Sequence, residues 1–362
     1  MSVPKETIWE LEPHTLSKHK ILESYLKAWF PIIGSFNNKI IYIDGFAGPG
    51  IYSKGEPGSP IIALNVANEH KSDLKGIVIF LFIEESADRF NNLEIEIKKL
   101  SLKTNFKVYV ENGKFHEVIE ATLLQLEGEG KILAPTFAFI DPFGFSGVPA
   151  ALIGRLLKNP RVEVFINFAV DSINRFIGTK EGDLHIGELF GTPKASEILK
   201  GHSINRSLDL RDAYQSMLKT LAKFVRYFEM KNNEGRPIYY LFFASNNRIG
   251  HLKMKEVMWH VDKEGDFNFS DATNPNQIVL FEKVDFGREV FDLIKEKYAP
   301  SSYDVEIFRF FIEDNTAFLK KHLTQALNYA EQNKFVYIEE IKKDGKKRRK
   351  GTFPDGTIIK IL

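Results

Sequence analysis

The 362-residue sequence contains no cysteine. This absence excludes disulfide bonds, thiolate nucleophiles, iron–sulfur clusters and zinc sites built from cysteine. It fits a protein of a reducing compartment. Long apolar runs are also missing, since no segment reaches the length of a membrane span and the first 13 residues lack the apolar core of a signal peptide. We therefore expect a cytoplasmic protein that does not associate with membranes.

An excess of charge of either sign is absent as well, because the formal net charge is only +1. Any affinity for nucleic acid must then come from local basic clusters. The histidines show no H-E-x-x-H or other metal spacing, and no G-x-S-x-G nucleophile elbow is present. We predict no bound metal and no hydrolase of the nucleophile-elbow type.

The most informative stretch is KIIYIDGFAGPG, residues 39–50. A β-branched run that ends in an acid and breaks into three glycines predicts a buried strand followed by a tight turn that faces a ligand. In doubly wound α/β folds such a turn lies at the carboxyl end of the first strand, where nucleotide-like ligands bind. The predicted cofactor-binding residues here are Asp44, Gly45, Phe46, Ala47, Gly48 and Gly50.

The glycine spacing bears on which ligand this turn would hold. It is neither the dinucleotide pattern G-x-G-x-x-G nor a P-loop, which disfavours a nicotinamide-dependent oxidoreductase. The next helix is predicted to begin only at Ser59-Pro60, with Ser59 as its N-cap. An acid before the glycines suits a ligand with a cation and hydroxyl groups, such as S-adenosylmethionine. A glycine turn that only links a strand to a helix is the alternative.

Three later strands also end in polar residues. The apolar run 76–83 ends at Glu84, which is placed to bind ribose hydroxyls, and the strand 106–110 is followed by Asn112 and Gly113, which could meet an adenine edge. The strand 135–140 ends in Asp141-Pro142-Phe143-Gly144. Because the carboxyl ends of parallel strands meet at one edge of a sheet, these residues predict a single cofactor and substrate site.

The tetrad at residues 141–144 indicates a reaction type. Amino-methyltransferases carry [DNS]-P-P-[YFW] at this strand end, where the first side chain and a proline carbonyl accept hydrogen bonds from the target amine and the aromatic ring stacks on the base. The catalytic candidates are therefore Asp141, Pro142 and Phe143. The second proline is missing, so a non-catalytic scaffold that binds cofactor or nucleic acid for a partner remains an alternative.

We expect an α/β fold with a Rossmann-like, seven-stranded methyltransferase sheet over residues 1–290. A first helix is predicted from Thr15 or Ser17 to Trp29, where Phe30-Pro31 should end it. Residues 172–236 read as a helical insertion whose clearest helix spans 208–227. The last strands are predicted at 237–244 and 277–281, and residues 282–303 read as a polar stretch.

The C-terminal segment, residues 301–362, predicts a second domain. Helices at 305–312 and 316–329 precede strands at 335–338 and 357–361, which is the order of a winged helix. Seven of the nine residues from 342 to 350 are basic. A basic hairpin tip suits phosphate contact, whereas a merely solvated hairpin is the alternative. The predicted nucleic-acid contacts are Lys346, Lys347, Arg348 and Arg349.

Several of these motifs together resemble those of the three-Cys-motif partner protein family. The resemblance rests on Lys18-His19, on residues 42–50, on Pro-Gly-Ser-Pro at 57–60, on residues 139–144 and on the tail. It implies a class I methyltransferase that uses S-adenosylmethionine, and a phage-type partner protein with a three-Cys motif.

A more distant similarity connects the chain to the J-type ribosomal-RNA adenine-N6 methyltransferases. These enzymes share the Lys-His pair, the acid and glycine loop, and an Ile-Asp-Pro strand end. The similarity implies that residues 44–50 and Glu84 surround the cofactor, that Asp141 and Pro142 meet the target amine, and that Lys18 lies near the substrate.

Overall fold

The computed structural model describes residues 6–70, 74–192, 195, 205–262, 268–270 and 285–362. Its contacts divide the chain into two compact units, residues 1–261 with 267–274, and residues 262–266 with 275–362. Within the described residues, the first unit contains an eight-stranded sheet and the second a three-stranded sheet. No helix in the described ranges is both long and apolar enough to cross a membrane.

The first unit alternates strands and helices along most of its length. Its strands are β1 (Lys39–Asp44), β2 (Ile77–Glu84), β3 (Phe106–Asn112), β4 (Thr136–Ile140), β5 (Val162–Phe168), β6 (Phe224–Lys231), β7 (Pro237–Ser245) and β8 (Asn268–Ser270). Its helices are α1 (Pro13–Gly34), α2 (Ser59–Asn68), α3 (Ala87–Lys98), α4 (Phe115–Gly128), α5 (Ala150–Leu157), α6 (Val170–Phe176), α7 (Lys180–Phe190), α8 (Arg206–Leu221) and α9 (Arg248–Val261).

The sheet is mostly parallel, as the sequence predicts for an α/β fold. The strand order is β3-β2-β1-β4-β5-β7-β6-β8, and β7 runs antiparallel to both of its neighbours. The chain moves outward from β1 to β2 and β3, then returns to place β4 on the other side of β1. The ends of β1 and β4 thus form the topological switch point, where ligands of such sheets bind.

The sheet has eight strands among the described residues, so the prediction of seven was wrong. Two of the eight strands were not predicted, the short β8 and β6. Strand β6 comes from the predicted helical insertion, because α8 ends at Leu221 and residues 224–231 form a strand. The apolar spacing of α8 continues into β6, which is why the sequence predicted one helix to residue 227. An Asn232–Gly235 turn joins β6 to β7 as a hairpin, with Gly235 at φ +76°. The predicted strand at 277–281 lies outside the described residues.

The first helix also differs from its prediction, because Pro31 does not end it. Helix α1 continues to Gly34 with Pro31 inside its last turns. Proline adopts a helical φ and here costs one hydrogen bond close to the helix end. Burial of Phe30, which is 0% exposed, favours the continued helix.

Aromatic packing fixes α1 against the sheet. The ring centroids of Tyr25 and Trp29 lie 5.1 and 6.1 Å from that of Phe137 on β4. Both helical residues are buried, as are Leu22 and Leu26. Since Lys18 lies two turns before Tyr25, this packing brings the start of α1 to the carboxyl end of the sheet.

The second unit combines three helices with a small antiparallel sheet. Its elements in chain order are α10 (Gly287–Tyr298), β9 (Ser302–Asp304), α11 (Val305–Asn315), α12 (Lys320–Gln332), β10 (Val336–Ile338) and β11 (Ile358–Ile361). The strand order is β10-β11-β9. Helix α10 lies within residues 282–303, for which the sequence predicted only a polar stretch. Its buried face consists of Val290, Phe291 and Ile294, at helical spacing.

Candidate functional site

A cavity of ≈ 730 Å³ lies at the switch point of the large sheet. Residues 9–13, 46–52 and 141–143 line it, together with Lys18 and Asn167. Its walls therefore combine the glycine loop after β1 with the tetrad after β4, as the strand-end argument predicts. Of the predicted site residues in the first unit, Lys18, Phe46, Ala47, Gly48, Gly50, Asp141, Pro142 and Phe143 line the cavity.

The glycine loop is held in a conformation that side chains would disturb. Gly48 and Gly50 have φ values of +65° and +86°, which favour glycine. A Cβ at Gly50 would lie 2.9 Å from Leu93 Cδ1, and one at Gly45 would lie 2.5 Å from the Phe115 ring. Leu93 and the Phe115 ring thus pack closely against the loop, and residues 46–50 of the loop line the cavity.

Asp44 lies beneath the loop and is completely buried. Its carboxylate accepts weak hydrogen bonds from the Phe46 backbone N–H at 3.4 Å and from the Tyr42 hydroxyl at 3.3 Å. Burial raises the pKa of Asp44 to about 7, and the hydrogen bond from the Ser59 hydroxyl opposes the rise. Ser59 is therefore not the N-cap that the sequence predicts, because Gly58 occupies that position and Ser59 begins α2.

Glu84 connects the second strand to the glycine loop. Its two carboxylate oxygens accept hydrogen bonds from the backbone N–H groups of Gly48, at 2.8 Å, and of Ser86, at 2.9 Å. Burial raises the pKa of the Glu84 carboxyl above its ordinary value. Because each carboxylate oxygen can accept more than one hydrogen bond, Glu84 keeps capacity for a ligand hydroxyl.

Asn112 and Gly113 do not line the cavity. The Asn112 side-chain amide donates to the backbone carbonyls of Glu84 at 2.9 Å and Glu85 at 3.1 Å. The Gly113 N–H donates to the Glu84 carbonyl at 3.2 Å. Both residues thus brace the end of β2, and through it the position of the Glu84 side chain.

Asp141 lies between two hydrogen-bond donors. Lys18 Nζ lies 2.5 Å from Oδ2 of Asp141, and Asn167 Nδ2 donates to Oδ1 at 2.7 Å. Asn167 comes from β5, whose register pairs Ile166 with Ile140 and so brings Asn167 beside Asp141. The Lys18 side chain is only 5% exposed. The carboxylate is therefore fixed in one orientation at the cavity wall.

An aromatic wall stands beside Asp141. The Phe143 ring packs edge-on against Trp9 with centroids 5.5 Å apart. The Arg89 guanidinium lies 5.0 Å from the centroid of the Trp9 ring and 5.3 Å from that of Phe143. Tyr52 contacts Trp9 from another side, at 5.7 Å. These flat groups suit a planar aromatic ligand.

Four residues of this site were not among the predicted site residues: Trp9, His19, Arg89 and Asn167. Asn167 ends β5 as the other polar residues end their strands, so the same strand-end argument could have found it. His19 was noticed only as part of the Lys18-His19 pair. Nothing in the sequence pattern places Trp9 or Arg89 at the site, because their positions depend on how residues 6–12 and α3 pack.

In the second unit, the basic residues of the hairpin differ in exposure and in ion pairing. Arg348 is ion-paired with Glu331, and its side chain is only 6% exposed. Lys347 Nζ lies 2.9 Å from Glu340 Oε2, with both side chains exposed. Lys346, Arg349 and Lys350 are exposed. Of the four predicted phosphate contacts, Arg348 thus has a side chain that lies mostly inside the unit.

No protein-family model and no curated protein matches the sequence. Solved structures of similar fold include protein LPL1258 from Legionella pneumophila, with 13% identity, a TM-score of 0.42, and coverage of 68% of this chain and 91% of that chain. Human methyltransferase-like protein 13 in complex with SAH has 11% identity, a TM-score of 0.37, and coverage of 73% and 97%.

Another similar structure is Trm1 from Pyrococcus horikoshii with S-adenosyl-L-methionine. It has 10% identity, a TM-score of 0.34, and coverage of 71% of this chain and 61% of that chain. Several of the neighbouring structures are thus methyltransferases with a bound cofactor or its product. At TM-scores below 0.5, these similarities carry no functional conclusion for this chain.

Proposed function

We propose that the chain is a methyltransferase that uses S-adenosylmethionine and acts on an amino group of a nucleic acid. The observation that carries this proposal is that one cavity joins the glycine loop, residues 46–50, to Asp141, Pro142 and Phe143. A donor and an acceptor held by these two segments would lie side by side. The first unit contributes the whole of this cavity.

The residues of the cavity fit the cofactor. A volume of ≈ 730 Å³ is within the usual range for ligand pockets, roughly 300–1,000 Å³. Asp44 and Glu84 do not line the cavity themselves. Glu84 holds the Gly48 N–H of the loop and is proposed to accept hydrogen bonds from ligand hydroxyl groups, and the buried Asp44 supports the loop from beneath. The glycine loop lets a ligand approach the backbone. When bound, S-adenosylmethionine supplies a methyl group already activated by its sulfonium.

The main role of the chain's own residues is then to orient the target amine, which accepts the methyl group. Asp141, fixed by Lys18 and Asn167, accepts a hydrogen bond from the target amine and directs its lone pair. The Pro142 carbonyl offers a second acceptor, and Phe143 with Trp9 holds a planar base. Orientation of this kind can account for a large share of the rate enhancement.

The second unit is proposed to position the nucleic acid. Its order of helix, strand, two helices and two strands supports a winged helix. The exposed residues Lys346, Lys347 and Arg349 would contact phosphates. The motifs around residues 18, 44, 58 and 141 further support membership in the three-Cys-motif partner family, with a phage-type partner protein.

Calorimetric titration with S-adenosylmethionine tests the proposal, with NAD as the control ligand. We expect micromolar affinity for S-adenosylmethionine, at least tenfold weaker binding after Glu84→Gln, and no binding of NAD. Methyl transfer from labelled cofactor to pools of DNA and RNA should be lost in Asp141→Asn, while its cofactor affinity stays within about threefold of the wild type.

The scaffold alternative is favoured by one observation, the absence of the second proline from Asp141-Pro142-Phe143-Gly144. It makes a different prediction in the same experiments. A scaffold would bind nucleic acid or cofactor but would transfer no methyl group to any pool, with or without the partner. Failure to bind S-adenosylmethionine at all would reject the methyltransferase.

A further inference from the structure

His19 is a buried polar group in the cavity wall that the proposed reaction does not use. It follows Lys18 on α1, is 5% exposed and lines the cavity. Its ring lies 5.8 Å from that of Tyr52, in a tilted contact. In the described parts of the chain, neither ring nitrogen has a hydrogen-bond partner.

The imidazole is held in its neutral form. Burial and the neighbouring Lys18 ammonium lower the pKa of His19 to about 3, and the Asp141 carboxylate only partly opposes this effect. A neutral imidazole has one N–H donor and one nitrogen acceptor. Since polar groups cut off from water nearly always have partners, an open donor at a cavity wall needs an acceptor from the ligand that displaces the solvent.

We propose that His19 is a substrate-recognition residue whose N–H donates a hydrogen bond to the unprotonated ring nitrogen beside the target amine. Asp141, which lines the same cavity, accepts from the amine itself. Together they recognise an amine next to an unprotonated ring nitrogen on the Watson–Crick edge of a base, a pattern that adenine and cytosine present. Thymine and uracil present a carbonyl and an N–H there. The inference rests on the proposed function and specifies its substrate class.

The test uses single-stranded nine-nucleotide oligonucleotides that carry one base in an abasic background. Fluorescence anisotropy in the presence of SAH compares adenine with 1-deazaadenine, and cytosine with 3-deazacytosine, in which a C–H replaces the ring nitrogen. For at least one of the two pairs, the wild type should bind the natural base about tenfold more tightly, as expected for one lost hydrogen bond.

Variants of His19 assign that difference to its side chain. His19→Phe keeps a ring but no donor, so the preference for the natural base over its deaza analogue should disappear. His19→Gln keeps an N–H and should retain part of the preference. His185→Phe, a histidine that does not line the cavity, is the control and should bind like the wild type.

The outcomes separate this inference from the proposed function. If the wild type binds SAH in calorimetry but does not distinguish either base from its deaza analogue, the role of His19 is overturned while the methyltransferase stands. An unchanged preference in His19→Phe overturns it equally. If His19→Phe fails to fold, His19→Gln decides instead, and a preference as large as that of the wild type in this variant overturns the role of His19. Absence of SAH binding rejects the proposed function itself.

Discussion

Lys18 Nζ lies 2.5 Å from Oδ2 of Asp141, although 123 positions separate the two residues in the chain. The pair joins the first helix to the end of β4 at the wall of the cavity. Both side chains are largely removed from solvent, at 5% and 19% exposure. The ion pair thus fixes the proposed amine acceptor and anchors α1 over the switch point.

Breaking this pair from one side should destabilise the first unit. Removing one partner of a buried ion pair leaves an uncompensated charge and typically costs about 3–5 kcal/mol. We expect Lys18→Met and Asp141→Asn each to lower the free energy of unfolding by about 3 kcal/mol. The double variant should lose less than the sum. Urea unfolding of all four proteins measures the coupling, and additive losses would show that the contact contributes nothing.

The glycine loop allows a matched comparison of two glycines. Gly50 and Gly55 have almost the same φ, +86° and +85°, but a Cβ meets Leu93 only at Gly50 and finds nothing within 4 Å at Gly55. Alanine at either position costs the same backbone strain, about 1–2 kcal/mol. Gly50→Ala should cost a further 1–3 kcal/mol, roughly, through overpacking, and should weaken cofactor binding. Equal melting temperatures of the two variants would contradict the close contact.

The raised pKa of Asp44 predicts a pH dependence of stability. Its carboxyl has a pKa of about 7 in the folded protein, against about 3.9 when unfolded. Between these values the folded state binds the proton more tightly, so the stability that Asp44 contributes is complete below pH 4 and is lost as pH rises to 7. Compared with Asp44→Asn, the wild type should lose about 2–4 kcal/mol over this range and nothing further above pH 8.

Urea unfolding of the two proteins between pH 4.5 and 8.5 measures this difference. Other groups that titrate near neutrality, such as the buried Glu163, whose pKa burial raises to about 7, are present in both proteins and cancel. A difference that stays constant with pH would mean that Asp44 ionises normally.

The exposed part of the basic hairpin predicts a salt dependence of nucleic-acid binding. Each phosphate contact contributes about 0.9 to the slope of log K against log salt on duplex DNA. Replacing the proposed contacts Lys346, Lys347 and Arg349 with glutamine should therefore weaken binding and reduce the slope by about 2–3. Lys320→Gln, outside the hairpin, is the control. A slope that does not change would leave the hairpin as a solvated surface feature.

Arg348 is left out of that set because its position predicts a different effect. Its side chain is buried against Glu331 on α12, and its guanidinium lies 5.6 Å from the Phe353 ring centroid. From sequence it is one of a row of basic residues. Only the tertiary structure separates the arginine that packs inside the unit from the lysines and arginine that remain exposed.

The strand ends follow from local sequence patterns. A β-branched run that stops at an acid or a glycine is a local pattern, so β1 to β4 and the positions of Asp44, Glu84 and Asp141 could be predicted from it. The rule that parallel strands present their carboxyl ends at one edge then gathered these residues into one site without any coordinates.

Which residues complete that site and which only support it depends on packing between distant segments. The sequence predicted that Asn112 faces a ligand, but β2 ends within reach of its amide, which therefore binds the strand backbone. The helical spacing of residues 208–227 could not show that 224–231 joins the sheet, because pairing with β7 outweighs local propensity. Trp9, His19 and Asn167 line one cavity with Asp141 only because distant segments pack at the switch point. Contacts between distant segments leave no periodic signal in a sequence.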